Sequence, residues 1–316
     1  MQFSAQQQFL LEDQAFLLES RGLIRLRGVR AEEALQPLIC TSLDKVTKKP
    51  VLAHVLDDNG FLMIDCFVVS YQEDLLLECD KSLISRLLER LSPHCEALDV
   101  SARDVSVEWQ VFAQLPDQNT FDDGSVFIKY VDPRWHMGTR LLRPANAISS
   151  SQWGSETKWA THAFKLGFLP SAALLQSVSV SPLEAGLHAM NLLGMNWRLE
   201  GLQGAPSSPM ESSPVVENPP VENLSHRLLP MRIEPNSFSF PTMAGGLPVL
   251  AGDLEIGKAV GHHGLFALAL INLDAWRNAL AIGTPLHCAG QPVLITWPSW
   301  LAQESCGRGG PVAMSS

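Results

Sequence analysis

A single carboxylate, Glu184, stands among apolar neighbours in residues 181–197, SPLEAGLHAMNLLGMNW. An ionised carboxylate can accept paired hydrogen bonds from adjacent N–H donors, a contact stronger than a neutral hydrogen bond. In the first turn of a helix the same acid is stabilised by the helix dipole with no ligand at all, so both readings of Glu184 stand. Asp65 sits in the run Ile64-Asp65-Cys66, where a strand acid either faces a ligand or points outward. Arg134, in Asp132-Pro133-Arg134, and Arg140, in Gly138-Thr139-Arg140-Leu141, carry guanidinium forks that match carboxylates of the protein or of a ligand. Trp197, directly after the Glu184 stretch, is the tryptophan best placed to line a cavity. The six cysteines show neither a C-x-x-C pair nor zinc-type spacing, and Cys66 and Cys79 lie in apolar runs where free thiols pack as small hydrophobes. His262-His263 and His287-Cys288 are adjacent pairs; neighbours on a strand point to opposite faces, so neither pair is expected to chelate and no metal site is predicted. The chain has no G-x-S-x-G, P-loop or G-x-G-x-x-G signature.

The elements that must position these residues follow from periodicity and punctuation. Ser181 as N-cap and Pro182 at the first helical position predict a helix with Leu183, Leu187, Met190 and Asn191 on one face. Asp57-Asp58-Asn59-Gly60 predicts a hairpin with a type I′ turn at Asn-Gly, which puts Asp65 on the returning strand. Residues 23–26, 51–56, 109–115 and 126–131 read as strands, 31–39 as a short helix disturbed by Pro37, and 82–91 as a helix stopped by Pro93. Residues 156–166 predict a helix with Trp159, Ala163 and Leu166 on one face. This mixture indicates an α+β unit. Residues 205–220, APSSPMESSPVVENPP, hold too little apolar side chain to offset the entropy of ordering them and read as a linker. Beyond it, short strands at 228–233, 247–250, 254–260, 265–270 and 292–296, with a helix near 272–280, predict a small β-barrel. The expected division is 1–204, a linker at 205–226, a barrel at 227–302 and a disordered tail at 303–316.

At 316 residues the chain can hold two or three compact units. Hydrophobic residues at 46% and charged residues at 18%, with no apolar run of the roughly 18 to 20 residues a spanning helix needs, exclude a helical membrane protein. The net charge of −10 with scattered Lys and Arg leaves no footprint for a phosphate backbone, so nucleic acid is not an expected partner. The opening residues lack the marks of a secretion signal or a presequence, which predicts a cytoplasmic protein, or a matrix protein in a eukaryotic relative.

Leu183-Glu184-Ala185-Gly186 followed by Leu193-Gly194-Met195-Asn196-Trp197 resembles the "LEAG…GVSW" segment of the YgfZ-like folate-binding proteins. These are relatives of the glycine-cleavage aminomethyltransferase (T-protein), and the likeness is greatest to the forms associated with iron–sulfur cluster maturation. Other blocks agree in order. Residues 22–28 with 34–39 resemble the family's opening strand and helix, 58–65 its "xxGxxxxD" hairpin, and 75–80 its next strand. Asp132-Pro133-Arg134 with residues 138–141 resembles its "DPR…G-x-R" pair. The likeness runs from about residue 22 to 197 and resumes at 227.

The resemblance implies an aminomethyltransferase-like body with a C-terminal barrel and a central cavity for tetrahydrofolate or a related reduced folate. Glu184 would meet the pterin, Asp65 the folate's reactive end, and Arg134 and Arg140 a glutamate tail or neighbouring acids. The implied role is support of iron–sulfur cluster assembly or repair, with assembly factors or client proteins as partners. A tetrahydrofolate-dependent aminomethyl or methyl transferase and a non-catalytic scaffold are the alternatives. Two departures bear on these. Cys40-Thr41-Ser42 stands where the family reads "TND", and Arg198 to Gly204 stands where it reads "K-G-C-Y-x-G-Q-E", so the motif cysteine is missing.

Overall fold

The computed structural model describes residues 15–116, 128–147, 153–190, 192, 224–234 and 246–301. Trp197, residues 205–223 of the expected linker and the tail lie outside them, whereas 224–226 are described and His226 already begins the first barrel strand. The chain divides into two compact units, one within residues 1–56, 63–162 and 171–173, the other within 57–62, 163–170 and 174–316.

The first unit carries β1 (Phe16–Leu17), β2 (Arg21–Arg27), α1 (Ala31–Leu35), β3 (Val51–Leu56), β4 (Leu62–Tyr71), β5 (Asp74–Asp80), α2 (Ile84–Ala97), β6 (Ser101–Asp104), β7 (Trp109–Gln114), β8 (Ile128–Val131), β9 (Thr139–Pro144) and β10 (Gly154–Ser155). The helix α3 (Glu156–Leu166) begins in it. One sheet has the order β3-β4-β5-β2-β6, the other β10-β1-β7-β9-β8. Register in the first sheet pairs Phe67 and Leu23 with Glu78, and Cys66 and Gly22 with Cys79. Because side chains alternate along a strand, Arg21, Leu23, Asp65, Phe67 and Glu78 share one face, while Gly22, Ile24, Leu26, Cys66, Val68 and Cys79 share the other. The second face is apolar and takes helix α2, whose Ile84, Leu87, Leu91 and Cys95 are buried at helical spacing. Gly22 allows the close approach: a Cβ there would lie 2.8 Å from Ile84 Cδ1 and 2.3 Å from Ser106 Oγ.

Three local expectations need correction. Pro93 does not stop α2, which continues to Ala97. Pro93 is exposed, so the carbonyl it cannot serve faces water, and burial of Leu91 and Cys95 on either side carries the helix through. The turn at Asp57 is not type I′, since Gly60 has φ 82° but Asn59 is not among the residues of positive φ. Instead the Asp57 carboxylate accepts from the N–H groups of Asn59 and Phe61, each at 2.9 Å, and Gly60 closes the loop in the left-handed region. Residues 182–190 form successive turns rather than a regular helix. The cause is Gly186 at φ 76°, which breaks the ladder one turn after Pro182.

The second unit contains β11 (His226–Ile233), β12 (Pro248–Ala251), β13 (Leu254–His263), β14 (Phe266–Asn272), α4 (Leu273–Ile282), β15 (Leu286–Cys288) and β16 (Gln291–Ile295). Its strands close into a barrel in the order β11-β14-β13-β12-β15-β16. Leu229, Met231, Ile256, Ala267, Ala269 and Ile295 are in its core, and α4 adds Trp276. Asn272 caps α4 by accepting from Ala275 N–H at 2.9 Å, and Gly283 ends it at φ 68°. β15 escaped the sequence reading because three residues carry no alternation. Among the described residues no helix is long and apolar enough to cross a membrane.

Candidate functional site

Charged residues that strand alternation places inside the first unit meet in one buried cluster. Arg21 at the start of β2 donates from Nη1 to Asp65 Oδ2 at 2.9 Å, from Nε to Glu78 Oε1 at 2.8 Å and from Nη2 to the Glu78 carbonyl at 3.1 Å. The backbone N–H of Ala172 donates to Asp65 Oδ1 at 2.6 Å. From the second sheet, Arg140 on β9 donates to Glu78 Oε1 at 3.2 Å and to Asp132 Oδ2 at 3.4 Å, and Tyr130 on β8 donates to Glu78 Oε2 at 2.5 Å. Arg134 closes on Asp132 through a two-point fork at 2.9 and 2.6 Å. The Arg140 guanidinium also lies over the rings of Trp159 and Phe67, at 4.5 and 4.9 Å. Arg21, Arg134 and Arg140 thus face Asp65, Glu78 and Asp132. The charges balance, which is what allows them to be buried.

Local backbone brings Asp132 and Arg134 into the cluster. Asp132 N–H bonds the Gly138 carbonyl at 2.9 Å, closing the turn between β8 and β9. Gly138 has φ 81°, and a Cβ there would sit 2.0 Å from the Gln114 carbonyl oxygen. No other residue fits.

Electrostatics follow from burial and pairing. Burial alone would raise the Asp65 pKa, but the Arg21 guanidinium and the Ala172 N–H outweigh it and hold the carboxyl at about 2. Asp132 is likewise lowered against its burial, chiefly by Arg134. Burial pushes the His54 imidazole down to about 4, with Asp65 opposing and Arg134 assisting, so it is neutral at pH 7. Its Nδ1 is buried with no hydrogen-bond partner among the described residues. Asp65 is therefore a fixed anion and hydrogen-bond acceptor near neutral pH, too weak a base to take up a proton there.

Of the residues singled out from sequence, Asp65, Arg134 and Arg140 come together in this cluster. Asp65 is 7% exposed, which overturns the outward-facing reading. Glu184 belongs to the second unit and is half-buried. Its Oε2 accepts from Ser181 N–H at 2.8 Å, and its own N–H donates to Ser181 Oγ at 3.3 Å, a reciprocal capping box. Trp197 lies outside the described residues. Sequence reasoning missed Arg21, Glu78, Tyr130 and His54. For two of them a signal existed, since Arg21 and Glu78 interrupt the strand runs RGLIRLR and DLLLECD with charge.

The five described cysteines are buried, and none of them is in a disulfide. Burial pushes Cys40 and Cys288 up to about 11, Cys79 up to about 12, and Cys66 and Cys95 upward as well. None is a thiolate at neutral pH. Among the described residues no group of three or more His, Cys, Asp or Glu side chains could hold a metal ion.

Comparison with solved structures finds the crystal structure of glycine cleavage system aminomethyltransferase T from Bartonella henselae, with a TM-score of 0.57 over 94% of this chain and 89% of that one, at 11% identity. The chain has the aminomethyltransferase T-protein fold. It is α+β, with a closed six-stranded C-terminal barrel. Residues 226–303 match the family model described as "CAF17, C-terminal beta-barrel domain". Heterotetrameric sarcosine oxidase from Corynebacterium sp. U-96, in complex with pyrrole 2-carboxylate, aligns over 42% of this chain and 75% of that one at 15% identity; its TM-score of 0.28 carries no argument. No curated protein matches the sequence.

Proposed function

We propose that the protein binds a reduced folate, with Glu184 meeting the pterin, and serves as an accessory factor in iron–sulfur cluster assembly or repair. The observation that carries the reading is the T-protein fold across 94% of the chain, together with the LEAG segment at 183–186. Glu184 spends one carboxylate oxygen, Oε2, on its capping box, and Oε1 takes no part in it. A half-buried, anionic acceptor of this kind suits the adjacent amine and N–H donors of a pterin. Asp65 serves as a fixed anion beside the ligand. Arg134 and Arg140, which hydrogen-bond Asp132 and Glu78, act on the ligand through the cluster they hold around Asp65. Residues 1–204 and 227–302 are the proposed folate-binding body and barrel. Nucleic acid and membrane are not proposed as partners.

The transferase reading is weaker on a specific observation. The motif cysteine is missing, the described thiols are held protonated, Asp65 is clamped by Arg21, and the neutral His54 imidazole, held at about 4, is a poor base, so none of these supplies a strong nucleophile or base at neutral pH. Isothermal titration with tetrahydrofolate tests the proposal. The intact protein should bind saturably, and Glu184→Gln, which keeps the capping box but not the charge, should weaken binding by about 1–3 kcal/mol. No binding by the intact protein would leave the scaffold reading. Turnover of an aminomethyl or methyl donor with tetrahydrofolate would establish the transferase instead.

A further inference from the structure

The break at Gly186 takes the Glu184 segment out of a regular helical ladder: the Leu183 carbonyl accepts from Gly186 N–H at 2.9 Å inside the turn, while the Glu184 carbonyl takes its donor from outside it. Two consecutive residues of barrel strand β11 reach this segment. Arg227 donates from Nη1 to the Leu183 carbonyl at 3.1 Å, and Leu228 N–H donates to the Glu184 carbonyl at 2.9 Å. Arg227 is 2% exposed, and its guanidinium lies 5.9 Å from the centre of the Trp297 ring. At the other side of the turn, Gly186 packs on Trp300, where a Cβ would lie 2.8 Å from the indole. Trp300 is itself fixed by a 2.7 Å hydrogen bond from Nε1 to the Leu166 carbonyl and by stacking on Phe168 at 4.9 Å.

The geometry points to Arg227 as a positioning residue for the Glu184 carboxylate, and to the barrel as the device that aims that carboxylate at its ligand. The inference rests on the folate reading above and extends it. A buried guanidinium is an expensive anchor if stability is the only end, because breaking its contacts leaves an uncompensated charge whereas an apolar side chain would leave none. The Arg227 fork presents several donors in a rigid plane, so it fixes direction as well as distance. With Leu228 N–H one residue on, it sets the height and tilt of the turn that carries Glu184.

A double-mutant cycle on the full-length protein tests this. Tetrahydrofolate is titrated calorimetrically into the wild type, Glu184→Gln, Arg227→Met and the double variant, with Arg227→Lys as the conservative replacement. If Arg227 acts through Glu184, Arg227→Met weakens binding by about 10-fold in the wild-type background and by less than about 2-fold beside Glu184→Gln. Arg227→Lys, which can still donate to the carbonyl, recovers part of the loss. If Arg227→Met fails to fold by circular dichroism, the cycle is run with Arg227→Lys. Hydrogen exchange of amides in residues 181–190 should quicken in the Arg227 variant. Unchanged affinity in the Arg227 variant, or losses that simply add, would overturn the positioning role while leaving folate binding intact. No binding by the wild type would overturn the folate reading and the positioning role with it.

Discussion

Replacing Arg21 by Met is the sharpest test of the buried cluster. Methionine fills much of the same volume but removes three hydrogen bonds of 2.8 to 3.1 Å. Glu78 would keep Arg140 and Tyr130, whereas among the described residues Asp65 would keep only the Ala172 N–H as a hydrogen-bond partner. Removing one member of a buried ion pair strands the other, at a cost of about 3–5 kcal/mol. For a protein of this size each kcal/mol moves Tm by about 2–4 °C, so the expected fall is roughly 6–20 °C at pH 7. The assay is thermal or urea unfolding by circular dichroism. Adding Asp65→Asn to Arg21→Met supplies the control: in the wild type that change removes a favourable charge and destabilises, but in the Arg21→Met background it removes a stranded one and should restore at least about 1 kcal/mol. A loss below about 1 kcal/mol for Arg21→Met, or destabilisation by Asp65→Asn in both backgrounds, would show that the cluster is not held by charge pairing.

Two other outcomes follow from the same electrostatics. His54 binds a proton more tightly unfolded, at 6.5, than folded, at about 4, so its contribution is complete above pH 6.5 and is lost as pH falls toward 4. That loss is about 3 kcal/mol, followed by about 2 kcal/mol more as Asp65 is titrated from 3.8 down to about 2. His54→Phe should reduce the slope in the upper window, where His262 is also lowered by burial, and leave the lower one; a slope between pH 6.5 and 4 undiminished by the substitution would refute the assignment. Ellman's reagent should find at most one fast-reacting thiol in the native protein, that of Cys306, and all six after denaturation. Two or more fast thiols would contradict the burial of Cys40, Cys66, Cys79, Cys95 and Cys288.

Much of the fold was legible because its signals are local. The strand at β2, the bounds of α3 and five of the six barrel strands follow from alternation, helical spacing and turn residues within windows of about ten residues. Errors fell where distant atoms decide a local outcome. Pro93 is tolerated because Leu91 and Cys95 are buried by the sheet beneath α2, and the helix expected after Pro182 is broken at Gly186, which packs on Trp300 more than a hundred residues away.

The candidate site divides along the same line. Composition, the ordered blocks and the LEAG segment already indicated an α+β aminomethyltransferase-like protein, and they already picked out Asp65, Arg134, Arg140 and Glu184. Only the tertiary structure decided what those residues do to one another. It turned Asp65 inward onto Arg21, joined Arg134 and Arg140 to Asp132 and Glu78, and made Glu184 a capping residue on a turn held by Arg227. The reason is physical: a side chain's type and spacing are written in the chain, but its partners, burial and ionisation depend on charges brought within about 3 Å from remote strands, and no local pattern encodes them.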